Sequence, residues 1–553
     1  MARRAGSAWV AGIGVVVLAL AGCGAESTGS APRAGGTLQV VGAEDVEHLD
    51  PASAGGVHAY GLNRVFARTL LATGASNNFD ETVPVQADVA ERVPTKENGG
   101  ISKDGKTYTV RLRRDVQWDT RPARAVVAED FVRGFERLCN PAAPSPYREY
   151  YIATVKGMAE FCDGYQEVPD DDAEAMAAYQ KEHSIAGVKA DGDRTLVFTL
   201  IRPATDFLNM LALPSAAAAP EEYDEYVPDG PEFRRNTISN GPYRIASYQP
   251  GRSYVLEHNP AWRAASDPLR ERHVDRIRIT FGVNDPEEVQ RQIERGTADL
   301  SWDQPVPVAA IGRLRGTDGF TFRQVPGIAP YLVMDGRNGP TADRRVRQAV
   351  QYAVDRTAVI RAFGGPEAAR PLHTLIAPGN TGYFEHIAYP SPGDAGDPAR
   401  CQDLLGKAGH EDGLELTLAA HGHEDVAEAV KESVADCGIK IELRDEDADA
   451  DLALVTPRPD WFGNNGRSAL APLLEDHPDL YVRHMLKESL NAPALDRATG
   501  LWNQLDRLAM QNASIVPLVD RAVPIQHSAR VRGARFLPPA QTYDYTRLWL
   551  TQH

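Results

Sequence analysis

Beyond Leu20 the sequence has no apolar run approaching the roughly 18 residues that a membrane-spanning helix needs, so no later segment is expected to cross a bilayer. Of its five cysteines none stands in a Cys-x-x-Cys pair, and no His-x-x-x-His accompanies them, which argues against a structural metal site. Gly-x-Ser-x-Gly, Walker and dinucleotide fingerprints are missing, and no cofactor is expected. Their absence does not exclude an enzyme, because catalytic triads are scattered in sequence. There is no internal repeat. Positive charge is in deficit: 59 Lys and Arg against 76 Asp and Glu give a formal net charge of -17. Such a chain is a poor partner for nucleic acid or an anionic membrane, although acidity alone also serves solubility.

What is present reads as a large, exported globular protein. The 553 residues are 42% hydrophobic and 24% charged, enough for several domains and a sizeable core. Arg3 and Arg4 precede an uncharged apolar run over 8–20, the layout of a secretory signal peptide spanning 1–22. The run ends in Leu20-Ala21-Gly22-Cys23, which resembles the lipobox of bacterial lipoproteins. That resemblance implies cleavage before Cys23 and lipidation of its thiol; an ordinary secretory signal with a chance cysteine is the alternative. Residues 23–35 are small and polar, as in a tether. The remaining four cysteines are an even number in an oxidising compartment, which points to two disulfides. Three pairings are open; Cys139–Cys162 and Cys401–Cys437 are favoured because each pair is close in sequence.

Periodicity then predicts the elements. Alternation around Tyr108, Val110 and Leu112, around Leu196, Phe198 and Leu200, and around Ile277, Ile279 and Phe281 reads as half-buried strands. A strand at 37–41, a helix over 60–71 and a strand pair at 243–248 and 253–258 are also expected. Pro286 opens a helix that Gly296 closes. Residues 343–363 form a long amphipathic helix with Val346, Val350, Ala353, Val354 and Ile360 on one face. Residues 414–418, 425–437 and 439–443 make a strand-helix-strand unit, and 495–512 is the last long helix. Alternating strands and helices in both halves give a mixed α/β protein with at least two lobes.

Five stretches, in order, resemble the extracytoplasmic solute-binding proteins of peptide ABC importers, the oligopeptide- and dipeptide-binding family (bacterial solute-binding family 5). They are Leu49-Asp50-Pro51, the run from Gly105 to Arg113, the run from Val127 to Phe131, Asn240-Gly241-Pro242-Tyr243, and the run from Asp343 to Arg356. The resemblance implies an α/β, periplasmic-binding-protein-like (type II, cluster C) two-lobe clamshell with an extra inserted domain. Carried onto this chain, lobe I holds 36–80, 196–327 and 519–553, the extra domain II holds 81–195, and lobe II (domain III) holds 328–518. Hinge strands then fall near Gly327 and Val519.

In that family an extended peptide lies between the lobes, paired through its backbone, with its ammonium on a buried aspartate. By motif position the aspartate is Asp460, in Arg458-Pro459-Asp460-Trp461; taken alone, Asp460 also fits a surface turn. Where the family usually carries Gly-Trp, this chain has Thr456 and Pro457. Thr456 and Arg458 keep their N–H groups and are expected to pair with the peptide from one side of a strand, with Trp461 replacing the lost pocket wall. Val57 falls where the other peptide-facing backbone lies. Arg458 and Arg467 could meet a peptide carboxylate, or simply face solvent. His421 and His423 read as an exposed turn rather than a metal site, and the calcium-loop pattern at Asp447, Asp449 and Asp451 fails at Leu452 and Arg458. The expectation is a non-enzymatic, monomeric binding protein, lipid-anchored on the extracytoplasmic face of the cell membrane, that hands peptides to ABC permease and ATPase subunits. The same fold binding a nickel chelate, an oligosaccharide, haem or a signalling peptide is the alternative, and a secreted lipoprotein hydrolase a remote one.

Overall fold

Thr37–Val41 lies inside a five-stranded mixed sheet in the computed structural model, which describes residues 31–444, 450–464 and 466–551. It runs parallel to Arg276–Thr280 on one side and to Leu300–Ser301 on the other. Ser253–His258 and Tyr243–Gln249 extend the sheet antiparallel, with a register shift at Val255/Leu256. The alternation read from sequence is what buries Ile277 and Ile279 beneath this sheet, while Arg276 and Arg278 stay exposed. Cys23 and the signal segment lie outside the described residues, as do Asp447 and Asp449.

A second five-stranded sheet is ordered Ile439–Arg444, Leu414–Ala419, Leu452–Val455, Tyr331–Met334, Ile515–Pro517. The first three strands are parallel, and the helix Glu424–Ala435 joins Leu414–Ala419 to Ile439–Arg444, as the apolar runs predict. A third, three-stranded sheet pairs Thr107–Arg111 with Thr195–Thr199, and Thr195–Thr199 with Val188–Ala190. A boundary between 195 and 196 therefore cuts through a paired strand. Leu196, Phe198 and Leu200 pack in the same apolar cluster as Tyr108, Phe131 and Phe161, a cluster that also takes in Leu70, Leu71 and Phe207.

Between the first two sheets runs a ribbon that periodicity did not reveal. Val519–Gln526 pairs on one edge with Phe320–Gln324 and on the other with Ala369–Pro371. Val519, one of the two expected hinge positions, opens this strand, and Gly327, the other, follows Phe320–Gln324 by three residues.

Two expected helices are shorter than predicted. The first runs Val57–Phe66, not 60–71, and the chain re-enters a strand at Leu71–Thr73. The 343–363 helix is two helices, Arg344–Ala353 and Arg356–Ala362. Val354 is extended, and the Asp355 carboxylate accepts from the Thr357 and Ala358 amides, so a side-chain cap ends one helix and starts the next. Pro286–Arg295, closed by Gly296 at φ +73°, and Leu495–Asn512 fall where expected.

The motif residues act as structural ties. Asn240 and Gly241 donate their amides to the Phe66 carbonyl, and a Cβ on Gly241 would meet Val65 O at 2.6 Å. Asp50 pairs with Arg137 inside the protein. Asp130 accepts from the Val127 amide and the Trp118 indole, both at 2.9 Å, fixing the start of the helix Ala128–Arg137. A buried network of Arg68, Asp88, Asp267 and Arg270 joins distant segments: Asp88 accepts from Arg68 Nε and Arg270 Nη2, both at 2.8 Å. Cys139 is bonded to Cys162 and Cys401 to Cys437, with Cα separations of 5.1 and 5.9 Å.

Candidate functional site

Leaving the strand Leu452–Val455, the chain passes Pro457 and Pro459 and brings Asp460 to a cavity of about 250 Å³. The cavity takes its walls from distant segments, among them Val57, Tyr147, Ile328, Arg458, Phe462 and Gln541. Asp460, Arg458 and Val57, all singled out by sequence, thus share one cavity. Two further cavities, of about 770 and 240 Å³, adjoin it, and His58 lines all three.

The Asp460 carboxylate is mostly shielded from water and receives the Tyr150 hydroxyl at 2.6 Å. Tyr147 stands beside it and donates to the Gly55 carbonyl at 3.0 Å. Burial raises the Asp460 carboxyl to about 6, against the pull of the two tyrosine hydroxyls, which favour the charged form. Burial and the same carboxylate push the Tyr150 and Tyr147 phenols far up, so both remain proton donors. The site is a poorly solvated acid fitted with neutral donors. A bound ammonium would compensate its charge.

Other expected residues are placed differently. Trp461 does not line the cavity. It is 1% exposed, its indole N–H donates to the Asn464 carbonyl at 2.6 Å, and its ring meets Tyr150 edge-on at 5.4 Å. It therefore backs the tyrosine that holds Asp460, and Phe462 takes the cavity wall. The pairing expected of Thr456 and Arg458 is not built: the strand ends at Val455, and Arg458 has φ +47°, a left-handed turn that an extended strand cannot include. The Thr456 hydroxyl lies 2.9 Å from His423 Nε2 instead. Val57 is the first residue of a helix rather than part of an extended strand, so its amide has no acceptor within that helix. Arg467 is not on a solvated face: its Nε is 2.7 Å from Asp206 Oδ2, and both side chains are nearly buried. Among the described residues no group of three or more His, Cys, Asp or Glu could hold a metal ion.

Sequence reasoning missed Tyr147, Tyr150 and Phe462. The signal available was the aromatic run Tyr147, Tyr150, Tyr151 after the prolines at 141, 144 and 146, a loop rich in groups that are apolar and polar at once.

A model of the family described as bacterial extracellular solute-binding proteins, family 5 Middle, matches residues 85–469. The dipeptide-binding protein of Escherichia coli (strain K12) is 27% identical over 355 residues, 62% of this chain and 59% of that protein; the match thus spans little more than half of that relative. Among solved structures, clavulanic acid biosynthesis oligopeptide binding protein 2 superposes with a TM-score of 0.79 at 25% identity, covering 94% of this chain and 96% of its own. The binding protein MoaA of A. tumefacien R10, in complex with mannopinic acid, superposes with a TM-score of 0.68 at 18% identity, over 94% of this chain and 100% of its own. These neighbours share the mixed α/β, two-lobe periplasmic-binding-protein fold seen here.

Proposed function

We propose, from the premise that this chain belongs to family 5 of the bacterial extracellular solute-binding proteins, that it captures peptides and delivers them to an ABC importer. The observation that carries the reading is Asp460, a desolvated carboxyl at a cavity wall, held by a tyrosine and short of a cationic partner. A free peptide amine supplies that partner, and a charge-assisted hydrogen bond of this kind contributes roughly 1.5–3 kcal/mol. In this reading closure around the ligand is the functional step. The chain performs no covalent chemistry, and permease and ATPase subunits do the transport.

We place the lobes as the sequence expectation has them, with one boundary moved. Lobe I takes 36–80, about 200–327 and 519–553, the extra domain takes 81 to about 200, and lobe II takes 328–518. The Val519–Gln526 ribbon supports this division, because it joins strands from both sides. Cys23 is proposed to carry the lipid that anchors the chain on the extracytoplasmic face. A Cys23→Ser chain recovered in the culture fluid rather than the membrane fraction supports the anchor.

Isothermal titration calorimetry tests the ligand. Free-amine di- to pentapeptides should bind, their N-acetyl forms should lose at least tenfold, and Asp460→Asn should erase that difference. A second reading keeps the fold and exchanges the cargo for a non-peptide solute, on the ground that MoaA holds mannopinic acid. Binding of such a solute with no response to any peptide would favour it.

A further inference from the structure

Residues 202–206 leave the strand Thr195–Thr199 and enter the short helix Phe207–Met210. Two side chains of this turn reach the part of the molecule proposed above as lobe II. Arg202 donates from Nη1 to the Leu490 carbonyl at 2.7 Å, at the end of the helix Leu480–Leu490. Asp206 stands at the N-cap of its own helix, yet its carboxylate accepts no amide there. It accepts from Arg467 Nε instead, at 2.7 Å and across 261 residues of sequence. Arg467 lies in a five-residue π-helical turn, Gly466–Leu470, a rare geometry that recurs at functional sites. A Cβ on Gly466 would meet the Trp502 ring at 2.5 Å, so this turn sits tight against the helix Leu495–Asn512.

The ion pair is connected to the site. The Arg467 guanidinium lies 6.0 Å from the centroid of the Tyr150 ring, and the Tyr150 hydroxyl is donated to Asp460. Ser468 Oγ donates to the Trp461 carbonyl at 3.2 Å. Asp206, Arg467, Tyr150 and Asp460 thus make one contiguous chain from the cavity to the boundary between the two halves. The Asp206 and Arg467 side chains are only 7% and 8% exposed. For such a pair the lost hydration largely offsets the attraction, whereas removing one partner leaves an uncompensated charge in the interior. That balance suits a reversible contact: both groups regain water when the halves part, and each needs the other when they meet.

We infer that Asp206 and Arg467, with Arg202 beside them, form a latch that holds the turn 202–206 against lobe II and sets how readily the two halves separate. This rests on the lobe division and the closure proposed above, not on the identity of the cargo. Through Tyr150 the latch is tied to the occupancy of Asp460, so ligand binding and latching stabilise each other.

Hydrogen exchange read by mass spectrometry, with small-angle scattering, tests the latch on the ligand-free full chain. Asp206→Asn keeps the shape of the side chain and removes its charge. Exchange should quicken at least tenfold in both facing segments, Phe207–Met210 and Ala471–Leu474, and the radius of gyration should rise. The distant strand Arg276–Thr280 should keep its wild-type rate. Quickening on one side only, throughout the chain or nowhere overturns the latch, as does an unchanged radius. Should Asp206→Asn not fold, Arg202→Gln, at a half-buried position, meets the same criteria at Phe207–Met210 and Leu480–Leu490. Tri-alanine separates the latch from peptide capture. If it binds, it should leave Asp206→Asn at least tenfold faster than wild type, and equal release rates overturn the latch. If no peptide binds, peptide capture falls, and the ligand-free comparison still decides the latch.

Discussion

Tyr150 donates its hydroxyl to Asp460 at 2.6 Å, across 310 residues of sequence. The contact makes the carboxyl both buried and oriented, and from this its pH response follows. Burial has moved Asp460 up to about 6, and an ammonium ligand selects its charged form. Affinity for a free-amine peptide should therefore hold above pH 7 and fall as pH drops through 6, by about tenfold at pH 5. Calorimetry from pH 5 to 8 measures this; a flat profile would place the ligand amine elsewhere.

Trp461 supports Tyr150 from behind at 5.4 Å. Trp461→Ala should cost about 3–5 kcal/mol in urea unfolding, as large buried truncations do. It should also weaken peptide binding, since Tyr150 loses its backing. Trp461→Phe should recover most of the affinity. Wild-type affinity in the alanine variant would separate Trp461 from the site.

Asp88 accepts from both Arg68 and Arg270 with no solvent contact. Asp88→Ala leaves Asp267 as the one carboxylate for two buried guanidinium groups and should cost about 3–5 kcal/mol, read as a lower urea midpoint. An unchanged midpoint would mean that water or a neighbouring acid replaces the carboxylate.

Asp506 is buried in the helix Leu495–Asn512, where one oxygen accepts from Ile376 N at 3.1 Å and the other has no partner. Burial raises its carboxyl to about 6, above its unfolded value. Its contribution is therefore fully present below the unfolded value near 3.8 and is lost as pH rises through 6. Asp506→Asn should accordingly gain on wild type by about 1–3 kcal/mol between pH 4 and pH 8. Urea midpoints at the two pH values test the sign.

Local signals were legible wherever periodicity and punctuation agreed. Pro286 with Gly296, and the apolar faces of Leu495–Asn512 and Glu424–Ala435, needed no tertiary information. Asp355 was misread because a helical stripe runs across it, although its carboxylate caps a new helix. The ribbon strand Phe320–Gln324 is half-buried at every position, so it has no alternation to detect. At the site, Asp460 and Val57 were reachable through motif position. Tyr150 was not, because its role comes from long-range packing. Trp461 looked like a pocket wall from its place beside Asp460, yet its indole turns inward.

Each disulfide lies within a single apolar cluster: Cys139 and Cys162 share one, Cys401 and Cys437 another. The second cluster also takes in Val519, at the start of the ribbon, but neither disulfide joins a ribbon strand to anything. Oxidation thus ties the segment around residues 139–162 and the segment around residues 401–437 each to itself, and no disulfide crosses the Val519–Gln526 ribbon. A reducing environment would therefore loosen each of these two segments on its own, with no covalent link across the ribbon to be lost.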